Sequence, residues 1–169
     1  NILVEEVVVT ARKKEESAQD VPVALSAMSQ EQLEVLKFRD FNDLAVGMPN
    51  VAMDDIGTTK GTQNFSIRGI GINSSIASVE PAVAIVVDGV YMGVSAGMVF
   101  DMFDLESIEV LRGPQGTLFG KNSTGGVILV NTALPGDETK QKARFAIEGG
   151  GPGGNNNIMQ YSFSGPIND

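Results

Sequence analysis

Hydrophobic and polar residues follow two periods along the chain, and the changes of period separate strands from helices. The chain opens on a β-prone run at Val4–Ala11, which precedes any amphipathic element and needs a partner strand. The apolar segment Gln19–Ala27 contains Pro22, which confines it to an edge strand or an extended connection. The start of the chain is therefore predicted to be extended.

Two short helices are predicted next. Ser29 is a candidate N-cap, and Leu33 and Leu36 after it recur at helical spacing. Asp40 is a second candidate N-cap, and the helix that it begins is expected to end before Gly47.

Four later segments are short, rich in Val, Ile or Phe, and bounded by Gly, Pro or Asp, which is typical of strands. They are Phe65–Arg68, Ala82–Val87, Ser107–Leu111 and Gly126–Asn131. With the two helices they predict an α+β fold, in which two short helices pack on a small mixed β-sheet with long loops.

The segment from Ala143 to Asp169 has a different pattern. Single apolar residues alternate with polar or small ones in two runs separated by Gly149–Asn157: Phe145 and Ile147, then Met159, Tyr161 and Phe163. This alternation predicts a β-hairpin with one apolar face. The face is suited to lipid or to packing on the rest of the chain, and alternation alone does not separate the two. We expect an extended N-terminal segment at 1–16, a main domain at 17–134 and the hairpin region at 135–169.

Composition narrows the classes of function. The chain has 169 residues, a net charge of −9, 20 Gly, and neither His nor Cys. Nucleic acid is an unsuitable partner because phosphate binding needs concentrated positive charge. The commonest general base and the thiolate metal ligands are missing. Because the sequence begins at Asn1 without Met or an apolar leader, we expect a mature or trimmed product.

Motifs that resemble catalytic or nucleotide-binding sites do not match in full. Gly93–Gly97 fits the G-x-S-x-G pattern but has no His to serve as base. Gly113–Lys121 departs from a phosphate-binding loop at two positions, and Gly69–Ser74 lacks the third Gly of a dinucleotide fingerprint. Acidic pairs such as Asp54 with Asp55 lack the alternating oxygen ligands of a calcium loop. We therefore predict no catalytic residue, no metal site and no cofactor.

Four motifs, taken together, are similar to those of a known family. They are Glu6–Ala11 (EVVVTA), Phe65–Gly69 (FSIRG), Val87–Val90 (VDGV), and Ile108–Gly116 (IEVLRGPQG) continuing to Gly125–Ile128 (GGVI). In this order and spacing they resemble the plug domain of TonB-dependent outer-membrane receptors. The resemblance covers about residues 5–132, and the hairpin region then resembles the first two strands of the family's barrel.

The resemblance implies a plug that closes a β-barrel of about 22 strands and that responds to the C-terminal domain of the inner-membrane protein TonB. The TonB-binding segment would be Glu6, Val7, Val8, Val9, Thr10 and Ala11. An extended segment suits this role because its backbone can add to the edge of a partner's sheet. By composition alone, Val7–Val9 also fits an ordinary edge strand.

The resemblance also assigns two arginines and two loops. Arg68 and Arg112 would face glutamates on the inner barrel wall, since a guanidinium pairs with carboxylates while staying charged. Pairing inside the plug, with Glu106 or Glu109, is the alternative. The loops expected to face the substrate contain Ile70, Gly71, Ile72, Asn73, Ser74 and Ser75, and Tyr91, Met92, Gly93 and Ser95.

The expected function is gating of substrate import across a Gram-negative outer membrane, with the plug facing the periplasm. The expected partners are TonB, the chain's own barrel, the outer membrane, and a small-molecule substrate such as a siderophore or another nutrient. The alternative is a free-standing secreted or periplasmic module that binds a partner or self-associates through unpaired strands.

Overall fold

The computed structural model describes residues 8–12, 14, 16–36, 41–55, 63–72, 74, 76, 79–93, 103–151 and 154–166. The chain divides into two compact units, a first unit at Asn1–Thr132 and a second unit at Ala133–Asp169.

The chain folds into short strands with a few short helices. The strands of the first unit are β1 (Val8–Val9), β2 (Glu16–Ser17), β3 (Ala24–Ser29), β4 (Val51–Asp55), β5 (Gln63–Ile67), β6 (Val83–Val87), β7 (Val90–Tyr91), β8 (Leu105–Arg112) and β9 (Gly126–Thr132). Its helices are α1 (Gln30–Val35), α2 (Phe41–Gly47) and α3 (Gly116–Phe119), and the second unit contains β10 (Lys140–Gly151) and β11 (Gly154–Ser164).

A five-stranded mixed sheet lies at the centre of the first unit, in the order β3-β8-β9-β6-β7. β6 and β9 are parallel, whereas the other neighbours are antiparallel. β1 pairs with β2, and β4 pairs with β5, in two small additional sheets. The predicted α+β class with a small mixed sheet is confirmed.

The first helix begins where the sequence predicts. The Ser29 side chain accepts from the Gln32 backbone N–H, and the Gln32 side chain accepts from the Ser29 backbone N–H, which is a capping box. Leu33 is the buried residue of α1. For the second helix, Asp40 lies outside the described residues, and α2 includes Gly47 instead of ending before it, because the helix continues to a hydrogen bond from Met48 to Leu44.

Both faces of the central sheet are buried. On one face, residues from α1, α2, β4 and β5 pack on alternate residues of β6, β8 and β9 to form a first core cluster that includes Leu33, Leu44, Phe65, Ile67, Ile85, Ile108, Val110 and Ile128. On the other face, the N-terminal stretch covers a second core cluster of Val9, Ala11, Val21, Ala84, Val86, Leu111, Val127 and Leu129. Burial on both sides explains why β6 reads as an unbroken apolar run rather than as an alternating one.

The second unit is a long antiparallel hairpin of β10 and β11. Its exposed apolar side chains are Phe145, Ile147, Met159, Tyr161 and Phe163, as the alternation predicts. The strands are longer than the sequence indicates, because pairing continues through the segment expected to separate them and reaches Gly151 opposite Gly154. Backbone pairing does not need apolar side chains, so the polar residues of this segment do not end the strands.

Gly126 lies between the two core clusters, where there is no room for a side chain. Gly126 has a φ of 150°, and a Cβ there would lie 2.3 Å from the Leu111 carbonyl oxygen and 2.7 Å from Ile67 Cδ1. We expect Gly126→Ala to lower the free energy of unfolding by about 1–3 kcal/mol, because the packed neighbours must move. Urea unfolding of the chain, followed by circular dichroism, measures this change.

Gly116→Ala is the matched control, because a Cβ at Gly116 meets nothing within 4 Å. We expect this control to change stability by less than about 1 kcal/mol. Equal urea midpoints for the two variants would contradict the packing argument.

Candidate functional site

The described part of the predicted TonB-binding segment packs into the core. Val8 pairs with Ser17 and Val9 with Glu16, and the side chains of Val9 and Ala11 are 0% exposed. Val8, on the other side of the strand, is 55% exposed. The segment therefore forms a layer of the first unit from Val8 onward, rather than an extension ahead of it. Glu6 and Val7 lie outside the described residues.

Thr10 is held by a buried carboxyl group. Glu109 Oε1 accepts hydrogen bonds from the Thr10 backbone N–H at 2.8 Å and from Thr10 Oγ1 at 3.0 Å. Asn131 Nδ2 lies 3.1 Å from the same oxygen and 2.9 Å from Ser107 Oγ. We call Thr10, Glu109, Asn131 and Ser107 the N-terminal seat.

The electrostatics of the seat follow from burial. Glu109 is 0% exposed, and burial raises the pKa of its carboxyl group, while the hydrogen bonds from Thr10 and Asn131 lower the pKa and offset part of that effect. Its Oε2 atom has no hydrogen-bond partner among the described residues. From the sequence, Glu109 was expected only as an alternative partner for Arg68 or Arg112. The signal for its role at Thr10 is a single carboxylate within an otherwise apolar strand, Ile108–Leu111.

Charged side chains hold the turn after β1. Arg12 donates to both carboxylate oxygens of Glu16, at 2.6 and 2.5 Å, and Lys14 Nζ lies 3.1 Å from Glu16 Oε2. The hydrogen bond from Arg12, against an opposing effect of burial and with a further contribution from Lys14, lowers the pKa of Glu16 to about 2. The carboxylate of Glu16 therefore stays ionised and bridges both ends of the turn.

Arg68 and Arg112 lie at one end of the central sheet. Arg112 Nη2 donates to Ser26 Oγ at 2.7 Å and to the Pro49 carbonyl oxygen at 3.1 Å. Burial lowers the pKa of the Arg112 guanidinium, and the positive charge of Arg68 lowers it further. In the part of the chain that the structure describes, neither arginine forms an ion pair.

The alternative of pairing inside the plug is not observed for Glu109. Glu109 and Arg112 are three residues apart on β8, so their side chains project from opposite faces of the sheet. Glu109 instead accepts hydrogen bonds from Thr10 and Asn131 in the N-terminal seat.

The described residues of the predicted substrate-facing loops do not all lie at the same end of the sheet. At the end that carries Arg112, Arg112 pairs with Gly126, which also pairs with Val83 at the start of β6, and Ile70 packs on Gly125. Tyr91 instead pairs with Val86, one residue before the opposite end of β6, and its hydroxyl accepts from Asn122 Nδ2 at 2.6 Å. The described members of these loops are Ile70, Gly71, Ile72, Ser74, Tyr91, Met92 and Gly93, whereas Asn73, Ser75 and Ser95 lie outside the described residues.

The opposite end of the sheet carries the N-terminal seat. Ser107 pairs with Asn131 there, and Asp88 accepts from the backbone N–H and the hydroxyl of Thr132 at 2.8 and 3.0 Å. A cleft of about 860 Å³ borders the seat and is lined by Thr10, Lys14, Val86, Gly89, Tyr91, Leu118, Phe119, Leu129 and Asn131. The candidate residues thus fall into two groups, one at each end of the central strands.

The described residues contain no group of three or more acidic, His or Cys side chains placed to hold a metal ion. No helix among them is long and apolar enough to cross a membrane.

Curated relatives of this chain are receptors and transporters. The pesticin receptor of Yersinia pestis is 32% identical over 96% of this chain and 23% of its own length. The iron-regulated outer membrane virulence protein of Vibrio cholerae is 28% identical over 98% of this chain and 26% of its own length. The chain therefore spans about a quarter of the length of these relatives.

Solved structures show the same fold. The ferric yersiniabactin uptake receptor FyuA from Yersinia pestis matches with a TM-score of 0.67 and 27% identity, over 87% of this chain and 22% of that protein. The ferripyoverdine receptor of Pseudomonas aeruginosa matches with a TM-score of 0.74 and 19% identity, over 96% of this chain and 20% of that protein. At that lower identity the second likeness shows the fold alone.

The family model described as TonB-dependent Receptor Plug Domain matches residues 17–127. The matched region contains β3, β6, β7 and β8 of the central sheet, the start of β9, both arginines and Glu109, whereas β1 and the hairpin lie outside it. The expected resemblance is confirmed: the chain belongs to the TonB-dependent receptor plug domain family.

Proposed function

We propose that this chain is the plug of a TonB-driven transporter in a Gram-negative outer membrane, where it closes the barrel and couples substrate binding to import. The observation that carries the proposal is the division of the candidate residues between the two ends of one sheet. Two arginines and the loop of Ile70 occupy one end, and the N-terminal seat occupies the other. A gate that couples events on two sides of a membrane needs such an arrangement.

The N-terminal segment Glu6–Ala11 is the proposed TonB-binding element. Among the described residues, β1 pairs only with β2, so one of its edges is available for a partner strand. Strand addition depends on backbone hydrogen bonds and makes few demands on side chains. In this proposal the seat faces the periplasm, where the C-terminal domain of TonB would approach.

Arg68 and Arg112 are the proposed contacts to the barrel wall. Two neighbouring cations, one of them partly buried, repel each other unless carboxylates are supplied from outside the described residues. Glutamates on the inner wall of a surrounding barrel would neutralise both arginines and orient the plug. The exposed apolar face of the hairpin suits the lipid-facing surface of the barrel's first two strands.

The two predicted loops are the proposed substrate-facing surface. Ile70 and Ile72 are exposed, and Tyr91 of the second proposed loop is exposed and hydrogen-bonded to Asn122. The names of similar proteins refer to iron chelates, as in the ferric yersiniabactin uptake receptor and the ferrioxamine B receptor, and also to vitamin B12. Because most of these names concern iron, we propose a siderophore as the substrate class.

Titration with the periplasmic C-terminal domain of TonB tests the coupling role. We expect saturable binding to the chain in mild detergent, and a loss of affinity of about tenfold or more in Val8→Pro, because proline removes a backbone donor and clashes in a paired strand. Isothermal calorimetry measures both affinities. Val8→Thr is the matched control, since it keeps the backbone N–H and the β-branched shape at an exposed position.

Equal binding of the proline and threonine variants would contradict strand addition at Val8. A folded chain that binds TonB in none of its forms, and that is a well-behaved oligomer without detergent, would favour the free-standing module instead.

The role of the arginines is tested by comparing two settings. In the isolated chain, Arg68→Gln should change the free energy of unfolding by less than about 0.5 kcal/mol, since Arg68 is exposed and forms no described ion pair. In a transporter that contains the barrel, the same change should weaken closure by about 1.5–3 kcal/mol, the usual loss for a hydrogen bond to a charged group. Permeation of a small antibiotic into cells measures closure.

Lys121→Gln is the control for the arginine comparison, because it removes an exposed cation that is already paired with Glu80. We expect it to leave permeation unchanged. Permeation that is the same in Arg68→Gln and the parent would exclude a barrel contact for Arg68.

A further inference from the structure

The N-terminal seat has a feature that packing alone does not require. Glu109 sits on the face of β8 that also carries Leu111, and the cluster around them is otherwise apolar. An apolar residue at position 109 would suit that surface and would avoid the cost of burying a carboxyl group. The reason for a carboxyl group at position 109 therefore lies in the hydrogen-bond donors that surround it.

Those donors come mainly from the N-terminal segment. Thr10 supplies two of the contacts to Glu109 Oε1, one from its backbone and one from its side chain, across 99 residues of sequence. Hydrogen bonds to a carboxylate are stronger than those between neutral groups. The segment is therefore fixed at one point by polar contacts, with the buried apolar residues Val9 and Ala11 on either side.

Asn131 orients the carboxyl group. Its Nδ2 atom lies 3.1 Å from Glu109 Oε1, 3.3 Å from Thr10 Oγ1 and 2.9 Å from Ser107 Oγ. Because Asn131 belongs to β9 and Ser107 to β8, the acceptor is held by two neighbouring strands of the sheet. The acceptor for Thr10 is thus largely positioned by the sheet itself.

We propose that Glu109, oriented by Asn131, is the positioning residue that keeps the N-terminal segment seated on the central strands and so sets how readily a partner strand engages that segment. The identity of the partner rests on the proposed function, whereas the role of Glu109 in holding the N-terminal segment on the central strands does not. The neighbouring cations do not replace Thr10 as donors, since Arg12 and Lys14 are paired with Glu16.

The cleft beside the seat bears on what happens if the segment leaves the sheet. The cleft borders Thr10 and Asn131 and so gives water a path to the carboxyl group of Glu109. Water would then take the place of Thr10 as hydrogen-bond donor, so the carboxyl group is not left unpaired.

Thiol labelling tests the seat without any partner. The chain has no cysteine, so Ala11→Cys introduces a single thiol at a fully buried position of the segment. We expect slow reaction with a maleimide in the parent background. Adding Glu109→Leu should accelerate the reaction about tenfold or more, because it removes the acceptor of both Thr10 hydrogen bonds.

Two further substitutions refine this result. Glu109→Gln keeps a carbonyl acceptor at the same place and should restore most of the protection. Thr10→Val removes the hydroxyl donor and keeps the backbone donor, so it should accelerate labelling less than Glu109→Leu. Val8→Cys, at an exposed position of the same strand, should react rapidly in every background.

A thiol on the other face of the sheet reports unfolding of the whole unit. Val110→Cys lies in the first core cluster, away from the segment, and should stay protected when Glu109 is changed. If the thiol at position 110 also reacts rapidly in Glu109→Leu, that variant is unfolded, and the labelling rate at position 11 in Thr10→Val becomes the test. A faster rate in Thr10→Val than in the parent background supports the seat. An unchanged rate overturns it. Rapid labelling at position 11 in the parent background overturns the proposal directly.

Titration with TonB separates the two proposals. Faster labelling in Glu109→Leu together with tighter TonB binding supports both the seat and the proposed function. Faster labelling without TonB binding to any variant supports the seat and overturns the proposed function. TonB binding with labelling rates that do not depend on Glu109 or Thr10 overturns the seat and leaves the proposed function standing.

Discussion

The need to cover both faces of β6, β8 and β9 determines the rest of the first unit. These strands are apolar on both sides, and an exposed face would leave a large hydrophobic surface in water. One face is covered by α1, α2 and the β4–β5 pair. The other face is covered by the N-terminal stretch, which has little secondary structure of its own. The segment that we propose to bind a partner therefore also forms part of the core.

These two roles conflict, because the contacts that stabilise the plug also make the N-terminal segment less accessible to a partner. Burying a valine side chain contributes roughly 1.5–3 kcal/mol, and Val9 is fully buried. In the proposed function, a partner strand that displaces Val9 from the core must compensate for that loss. Polar contacts at Thr10 make the balance adjustable, because a hydrogen bond to a carboxyl group can be exchanged for one to water, whereas an apolar contact has no such substitute.

The sequence predicted those parts of the fold that depend on local chemistry. Ser29 and Gln32 form the capping box that the N-cap pattern indicates, and the apolar run of β6 is an interior strand of the sheet. The seat was not predictable in the same way, since Thr10 and Glu109 are separated by 99 residues and no local pattern brings them together. The direction of the Glu109 side chain follows from strand alternation, but the layer that it faces depends on the tertiary fold.

The proximity of Arg68 and Arg112 was not predictable from the sequence either. Their spacing in the sequence says nothing of their proximity, which arises because the turn after β5 and the end of β8 meet at one end of the first unit. β8 carries Arg112 on one face and Glu109 on the other, so one strand joins the cationic end to the N-terminal seat. A shift of β8 along its axis would alter the contacts of both residues at once, because a strand paired on both sides moves as a unit. β8 is thus one buried strand that links the two ends, and its paired neighbours limit how far it can move without breaking the sheet.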